Sequence, residues 1–157
     1  MNAYFAGGCF WCITPMFTCR KGVSKVTSGY CGGKEVNPTY GDVKTQKTGH
    51  RETINVEYDD SIISYEELLE IYLSNVDVYD GEGQYIDRGH SYTLALYYVD
   101  DKQKSIIDKR LSEFDKQIYI SVEKFDKFYD AEEYHQDYYL KHPKEFEEEL
   151  IKSGRKK

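Results

Sequence analysis

The stretch Gly7-Gly8-Cys9-Phe10-Trp11-Cys12 decides the reading of this chain, because it sets two cysteines three residues apart around two aromatics where a strand feeds a helix. The preceding Asn2-Ala3-Tyr4-Phe5-Ala6 is short and partly apolar. Gly7 and Gly8 make a tight turn, and Cys9 begins a helix predicted to run to Thr18. A thiol there meets unpaired backbone N–H groups and the positive end of the helix dipole, so its pKa is expected to fall. On one helix Cys9 and Cys12 share a face and come within reach of each other after a small local rearrangement.

Working outward, Arg20–Gly22 is a turn and Val23–Tyr30 a strand with partial alternation. Gly29-Tyr30-Cys31-Gly32-Gly33 breaks that pattern, and Asn37-Pro38-Thr39-Tyr40-Gly41 forms a loop that carries side chains into a cleft. In the strand Thr53–Tyr58, Ile54, Val56 and Tyr58 share one face. Ser64-Tyr65-Glu66-Glu67 is a capping box, opening a helix with a broad stripe of Leu68, Leu69, Ile71, Tyr72 and Leu73.

The glycine-containing loop from Asn75 to Ser91 is long enough to favour a functional surface over a connector. A strand over Tyr92–Val99, a helix over Asp101–Phe114, a strand over Ile118–Val122 and helical stretches around Ala131–Tyr134 and Lys144–Ser153 complete the pattern. The elements intermix without strict βαβ regularity, so the fold class is α+β, with helices packed on a small mixed sheet.

At 157 residues the chain reads as a single domain spanning 1–157. A net charge of -7 argues against a nucleic-acid partner. The one basic run, Lys152–Lys157, reads as a solvated, frayed tail. No signal peptide or membrane span is recognisable, which places the protein in the cytoplasm, and no conspicuous unpaired apolar helix argues against a monomer. Sixteen tyrosines are expected as half-buried packing with hydroxyls at the surface.

All four cysteines lie within the first 31 residues, which points to local thiol chemistry or a metal rather than a disulfide framework. A zinc site of Cys9, Cys12, Cys19 and Cys31 is one reading, although zinc sites place ligands as two tight pairs and neither Cys19 nor Cys31 has a close partner. A thioredoxin-like thiol–disulfide oxidoreductase is another. It leaves Glu52, Tyr40 and Tyr92 without a role, and Phe10 and Trp11 are unlike the small residues expected between its cysteines.

Five ordered motifs take the reading further. Gly-Gly-Cys-Phe-Trp at 7–11, Asn-Pro-Thr-Tyr at 37–40, Thr-Gly-His-Arg-Glu at 48–52, Asp-Arg-Gly-His-Ser-Tyr at 87–92 and Ala-Glu-Glu-Tyr-His-Gln-Asp-Tyr at 131–138 resemble, in order and spacing, the methionine sulfoxide reductase A family. The resemblance implies a ferredoxin-like sandwich and thiol-dependent reduction of the S epimer of methionine sulfoxide, free or in proteins. It implies no bound cofactor and no metal, with thioredoxin, or dithiothreitol in its place, as the external reductant.

By that resemblance Cys9 is the nucleophile, Phe10 and Trp11 form the wall that grips the sulfoxide methyl group, and Glu52 is the acid. Burial beside an aromatic wall would raise the Glu52 pKa so that it holds a proton near neutrality. Tyr40 and Tyr92 match tyrosines that bind the sulfoxide oxygen, and Asp87 an aspartate that organises the pocket. His50 and His135 are expected to hydrogen-bond structurally. Attack leaves Cys9 as a sulfenic acid, which a second thiol must resolve. No cysteine follows Cys31, so the family's C-terminal recycling cysteines have no counterpart. Cys12 is the first choice for resolution and Cys31, read as lying in a mobile glycine-flanked loop, the alternative; Cys19 reads as an inert helix-end thiol.

Overall fold

The computed structural model describes residues 1–136 and 138–153, without the side chains of residues 139, 149, 150, 152 and 153. Residues 154–157 of the expected basic tail lie outside the described residues. In chain order the elements are β1 (Asn2–Gly7), α1 (Phe10–Ile13), α2 (Pro15–Thr18), β2 (Val23–Cys31), α3 (Tyr40–Lys44), β3 (Arg51–Tyr58), α4 (Tyr65–Ser74), β4 (Gly83–Gln84) and β5 (Asp87–Arg88). There follow β6 (Leu94–Tyr98), α5 (Asp101–Leu111), β7 (Ile120–Lys124), β8 (Phe128–Asp130), α6 (Tyr138–Lys141) and α7 (Pro143–Ser153).

One sheet runs in the order β7-β6-β1-β3-β2-β8. Its middle four strands, β6-β1-β3-β2, pair antiparallel throughout. Helices follow β1 and β3, so these elements form the split βαββαβ arrangement of the ferredoxin-like fold. The sheet is mixed because β7 adds parallel to β6, while β8 pairs antiparallel with the end of β2. Period-2 alternation divides the residues between two faces. Ala3, Phe5, Ile54, Val56, Leu94 and Leu96 meet Leu68, Leu69 and Tyr72 of α4 and Ile107 of α5. On the other face Tyr4, Ala6, Cys31, Ala95 and Tyr97 pack against Phe125 and Phe128.

The helix α4 starts at Ser64, whose Oγ accepts the Glu67 N–H at 3.1 Å. The expected capping box is half formed, because the Ser64 hydroxyl turns to the Glu67 carboxylate at 3.3 Å. At the other end of α4 the buried Tyr72 hydroxyl donates to the Ala6 carbonyl at 2.6 Å, fixing the strand end from which the Cys9 turn departs. Gly8 makes that turn at φ 93°. A Cβ on Gly7 would press on the Ile13 side chain and crowd Val76 and Tyr72, so a larger residue there would force Ile13 to shift.

The helix expected over Cys9–Thr18 is two short helices. Pro15 opens α2 and lacks the N–H that would continue α1's hydrogen bonding, so α1 closes on Thr14 N–H donating to Phe10 O at 3.1 Å. The segment around Tyr40 is likewise a one-turn helix rather than loop. Thr39 caps it in a full capping box with Asp42. Tyr92 closes a 3-10 turn, His90–Tyr92, just before β6, and Ala131–Tyr134 gives a 3-10 turn over Glu133–His135 rather than an α-helix. The long loop holds the β4–β5 hairpin. No helix among the described residues is long and apolar enough to cross a membrane.

Candidate active site

Cys9 is the N-cap of α1, in extended backbone geometry (φ -63°, ψ 121°), and 7% exposed. Its carbonyl accepts the Cys12 N–H at 3.1 Å, and the two thiols hydrogen-bond to each other. The expected fall in the Cys9 pKa is overturned. That thiol–thiol bond, then burial, then the negative charges of Cys12, Glu52 and Asp87 raise it well above a free thiol's. Four N–H groups of a one-turn helix supply too little positive potential to offset these effects.

Glu52 lies on β3, 1% exposed. Its Oε1 accepts the Phe10 N–H at 3.2 Å, the first N–H of α1 and one with no acceptor inside the helix. Oε2 is buried with no hydrogen bond of normal geometry among the described residues. Desolvation pushes the Glu52 pKa up to about 8 against the lowering effect of the Phe10 N–H; Asp87 and Cys12 raise it further, and Tyr92 lowers it. At neutral pH the carboxyl therefore carries a proton, as expected of a carboxyl kept neutral by desolvation.

Tyr40 and Tyr92 hydrogen-bond to each other. Burial raises the pKa of both, with the Glu52 charge the next cause in each. Their hydroxyls thus remain protonated donors beside Glu52 and Cys9. Asp87, at the start of β5, acts electrostatically on Cys9, Glu52 and both tyrosines. The structure brings Cys9, Cys12, Glu52, Tyr40, Tyr92 and Asp87 together from four separate segments of the chain.

The aromatic side of the site is Phe10, fully buried, and Trp11, half-buried. Phe10 packs 5.8 Å from Tyr30 and 6.3 Å from Tyr40. The Trp11 ring stacks on Tyr138 with centroids 4.0 Å apart, and its indole N–H donates to His135 Nδ1 at 3.1 Å. An indole nitrogen only donates, so His135 carries its proton on Nε2. Its ring covers Tyr40 at 4.3 Å. The structural role expected for His135 is thus a specific one, and Tyr138 is a contact of the site that the sequence reading quoted in a motif without assigning. His50 is also a hydrogen-bonding residue, with Nδ1 accepting the Gly33 N–H at 3.2 Å and Nε2 2.8 Å from the Glu35 carbonyl.

Cys31 is not in a mobile loop. It is the last residue of β2, paired with Arg51 and Phe128, 1% exposed, and its thiol is pushed up to about 12, first by burial. It belongs to the sheet face opposite Phe10. Cys19 ends α2 and is exposed. Among the described residues no group of three or more His, Cys, Asp or Glu is placed to hold a metal ion, and the separation of Cys31 from Cys9 by the sheet does not suit a four-thiolate zinc site.

A sequence model of the peptide methionine sulfoxide reductase family matches residues 1–157. A peptide methionine sulfoxide reductase MsrA of Bacillus licheniformis is 45% identical over 159 residues, covering 98% of this chain and 88% of its own. One from Listeria monocytogenes is 43% identical over 160 residues, covering 98% and 90%. Among solved structures, reduced Mxr1 of Saccharomyces cerevisiae superposes with TM-score 0.83 at 26% identity, covering 92% of this chain and 86% of that one. Methionine sulfoxide reductase A of Corynebacterium diphtheriae gives 0.81 at 26% identity, covering 90% and 74%. Mxr1 in complex with Trx2 shares the fold, with TM-score 0.55 at 19% identity over 88% of this chain and 84% of that one. The motifs, the sheet order and these relatives agree, and the chain belongs to the peptide methionine sulfoxide reductase family.

Proposed function

We propose that the enzyme reduces the S epimer of methionine sulfoxide, protein-bound or free, with Cys9 as nucleophile, Glu52 as acid and Cys12 as resolving thiol. The observation that carries this reading is the buried Glu52 carboxyl, raised to about 8 and tied through Oε1 to the Phe10 N–H, next to the thiol it must assist. A sulfoxide sulfur becomes electrophilic when its oxygen is protonated, and a neutral buried carboxyl is the group that supplies that proton near neutral pH.

Phe10 and Trp11 receive the methyl group, while the Tyr40 and Tyr92 hydroxyls and Glu52 receive the oxygen, and Asp87 organises the pocket. These opposed apolar and polar walls favour one epimer. The Cys9 thiol gives up its proton to solvent and the thiolate attacks as Glu52 protonates the oxygen. The sulfoxide S–O bond breaks, an S–O bond to Cys9 forms and methionine leaves, so Cys9 is oxidised by two electrons to the sulfenic acid and the substrate reduced by two. Glu52 recovers a proton from solvent. Cys12 then attacks the Cys9 sulfur, the S–S bond forms, and water leaves with the Cys12 proton. Cys12 already touches Cys9, whereas Cys31 lies across the sheet, which favours Cys12.

No step calls for a bound cofactor. A dithiol protein of the thioredoxin kind regenerates the two thiols, a reading supported by the Mxr1–Trx2 pairing, and dithiothreitol substitutes for it. Four free thiols suit a reducing, cytoplasmic setting, and we read the chain as one catalytic domain acting as a monomer. The test is reduction of a methionine sulfoxide peptide with dithiothreitol, expected for the wild type and absent in Cys9→Ser; equal rates in the two proteins would remove Cys9 from the reaction.

A further inference from the structure

Tyr40 is the first residue of α3, and a helix's first N–H groups find no acceptor within it. Thr39 Oγ1 takes the Asp42 N–H at 3.1 Å and Asp42 Oδ2 takes the Thr39 N–H at 3.0 Å, so the capping box leaves the Tyr40 N–H over. That N–H crosses 92 positions of sequence to donate to Glu132 Oε2 at 3.1 Å. The other oxygen of the same carboxylate accepts the Tyr30 hydroxyl at 2.9 Å. Tyr30 is fully buried on β2 and stands opposite Glu52 in the strand register.

We propose that Glu132 is a positioning residue for sulfoxide reduction: its two oxygens clamp the backbone of Tyr40 to Tyr30, and so set where the Tyr40 hydroxyl stands over Glu52 and Cys9. The proposal rests on the functional reading above and deepens it. Glu132 touches neither the nucleophile nor the acid among the described contacts. The backbone it holds carries the hydroxyl that hydrogen-bonds Tyr92, and the ring of that residue lies under His135, three positions beyond Glu132. One short segment therefore grips Tyr40 twice, by its N–H through Glu132 and by its ring through His135.

Both partners of Glu132 donate, which an ionised carboxylate accepts without further adjustment. Partial burial alone would raise its pKa, but hydrogen bonds from its own N–H, the Tyr40 N–H and the Tyr30 hydroxyl outweigh this and hold the pKa below the usual glutamate value. Glutamine preserves the clamp. Its carbonyl accepts the Tyr40 N–H, and the Tyr30 hydroxyl can turn to accept from the amide. Alanine abolishes it.

The experiment is single-turnover reduction of the S sulfoxide at saturating substrate, in Glu132→Ala, Glu132→Gln and Tyr30→Phe, each made in the wild type and in Tyr40→Phe. Misplacement of a reacting group by about an ångström costs up to about a hundredfold, so Glu132→Ala is expected to slow turnover by roughly tenfold or more, with Gln within about threefold of wild type. In the Tyr40→Phe background, where no hydroxyl remains to position, Glu132→Ala is expected to have no further effect on the rate.

Equal fold-losses in the two backgrounds, or a Glu132→Ala rate within twofold of wild type, would overturn the proposal. If Glu132→Ala does not fold, Tyr30→Phe carries the same comparison, with a loss of about threefold expected only when the Tyr40 hydroxyl is present. Wild-type turnover reports separately on the functional reading, since it is seen or not seen irrespective of Glu132.

Discussion

The Phe10 N–H donates to Glu52 Oε1 at 3.2 Å, so the residue that follows Cys9, the proposed nucleophile, and Glu52, the proposed acid, are held by one hydrogen bond between α1 and β3. The bond uses a helix-start N–H that would otherwise lack a protein acceptor. Cys9 and Glu52, 43 positions apart in the sequence, share one small volume because β1 and β3 are paired strands.

Replacing Glu52 by Gln keeps an acceptor for the Phe10 N–H and removes the transferable proton. The single-turnover rate is expected to fall by about 10²–10⁴-fold with the circular dichroism spectrum unchanged. An undiminished rate would take Glu52 out of the acid role.

The proposed reaction needs a thiolate at Cys9 and a proton on Glu52, which is one proton shared by two coupled groups. With Glu52 near 8 and Cys9 raised above an ordinary thiol, kcat/KM is expected to rise as the pair loses its first proton near pH 8 and to fall as it loses the second. Glu52→Gln should move the rise to the Cys9 thiol's own, higher pKa and lose the alkaline fall. Stability follows the same group with a fixed sign. The folded protein holds the Glu52 proton that the unfolded chain releases near its ordinary value of 4.5, so the Glu52 contribution falls as pH rises from there through about 8. Thermal melts across that range should show a smaller decline in Glu52→Gln.

Cys12→Ser is expected to reduce one equivalent of sulfoxide at nearly the wild-type rate, to accumulate Cys9 sulfenic acid, and to stall with thioredoxin. Cys31→Ser is expected to cycle normally. Trapping the sulfenic acid with a dimedone-type reagent checks the first statement; normal cycling of Cys12→Ser with failure of Cys31→Ser would reverse the assignment.

The Cys9 neighbourhood was legible because its chemistry is contiguous: two cysteines and two aromatics after a glycine turn are visible without knowing any partner. The alternation of β3 and the stripe of α4 announced themselves by period in the same way. What escaped the reading depends on contacts between distant segments. Cys31 looked like a loop residue because glycines flank it, but β8 pairs with that end of β2 and makes it strand. The helix start by itself predicts a lowered Cys9 pKa, whereas the hydrogen bond with Cys12 and burial, and after them the charges of Cys12, Glu52 and Asp87, raise it. His135 and Trp11 are 124 positions apart, and no local signal marks one as the other's acceptor. The break at Thr14 was readable, since Pro15 removes a helix N–H. The tyrosines depart from the expected half-exposure because several, Tyr30, Tyr72 and Tyr97 among them, find internal partners for their hydroxyls and so can be buried whole.

Tyr72→Phe tests the anchor beneath the turn. Losing the hydroxyl's bond to Ala6 O is expected to cost about 1 kcal/mol and to lower Tm by about 2–4 °C, with single-turnover reduction within about twofold of wild type. A Tm equal to wild type would show that this bond does not hold α4 to β1.

The chemistry proposed for Cys9, Glu52 and Cys12 is put to the test by single-turnover reduction of separated S and R epimers of a blocked methionine sulfoxide, with protein thiols counted before and after. The prediction is conversion of the S epimer alone with loss of about two thiols per chain; turnover of the R epimer, or reduction of the S epimer with no loss of thiols, would contradict it.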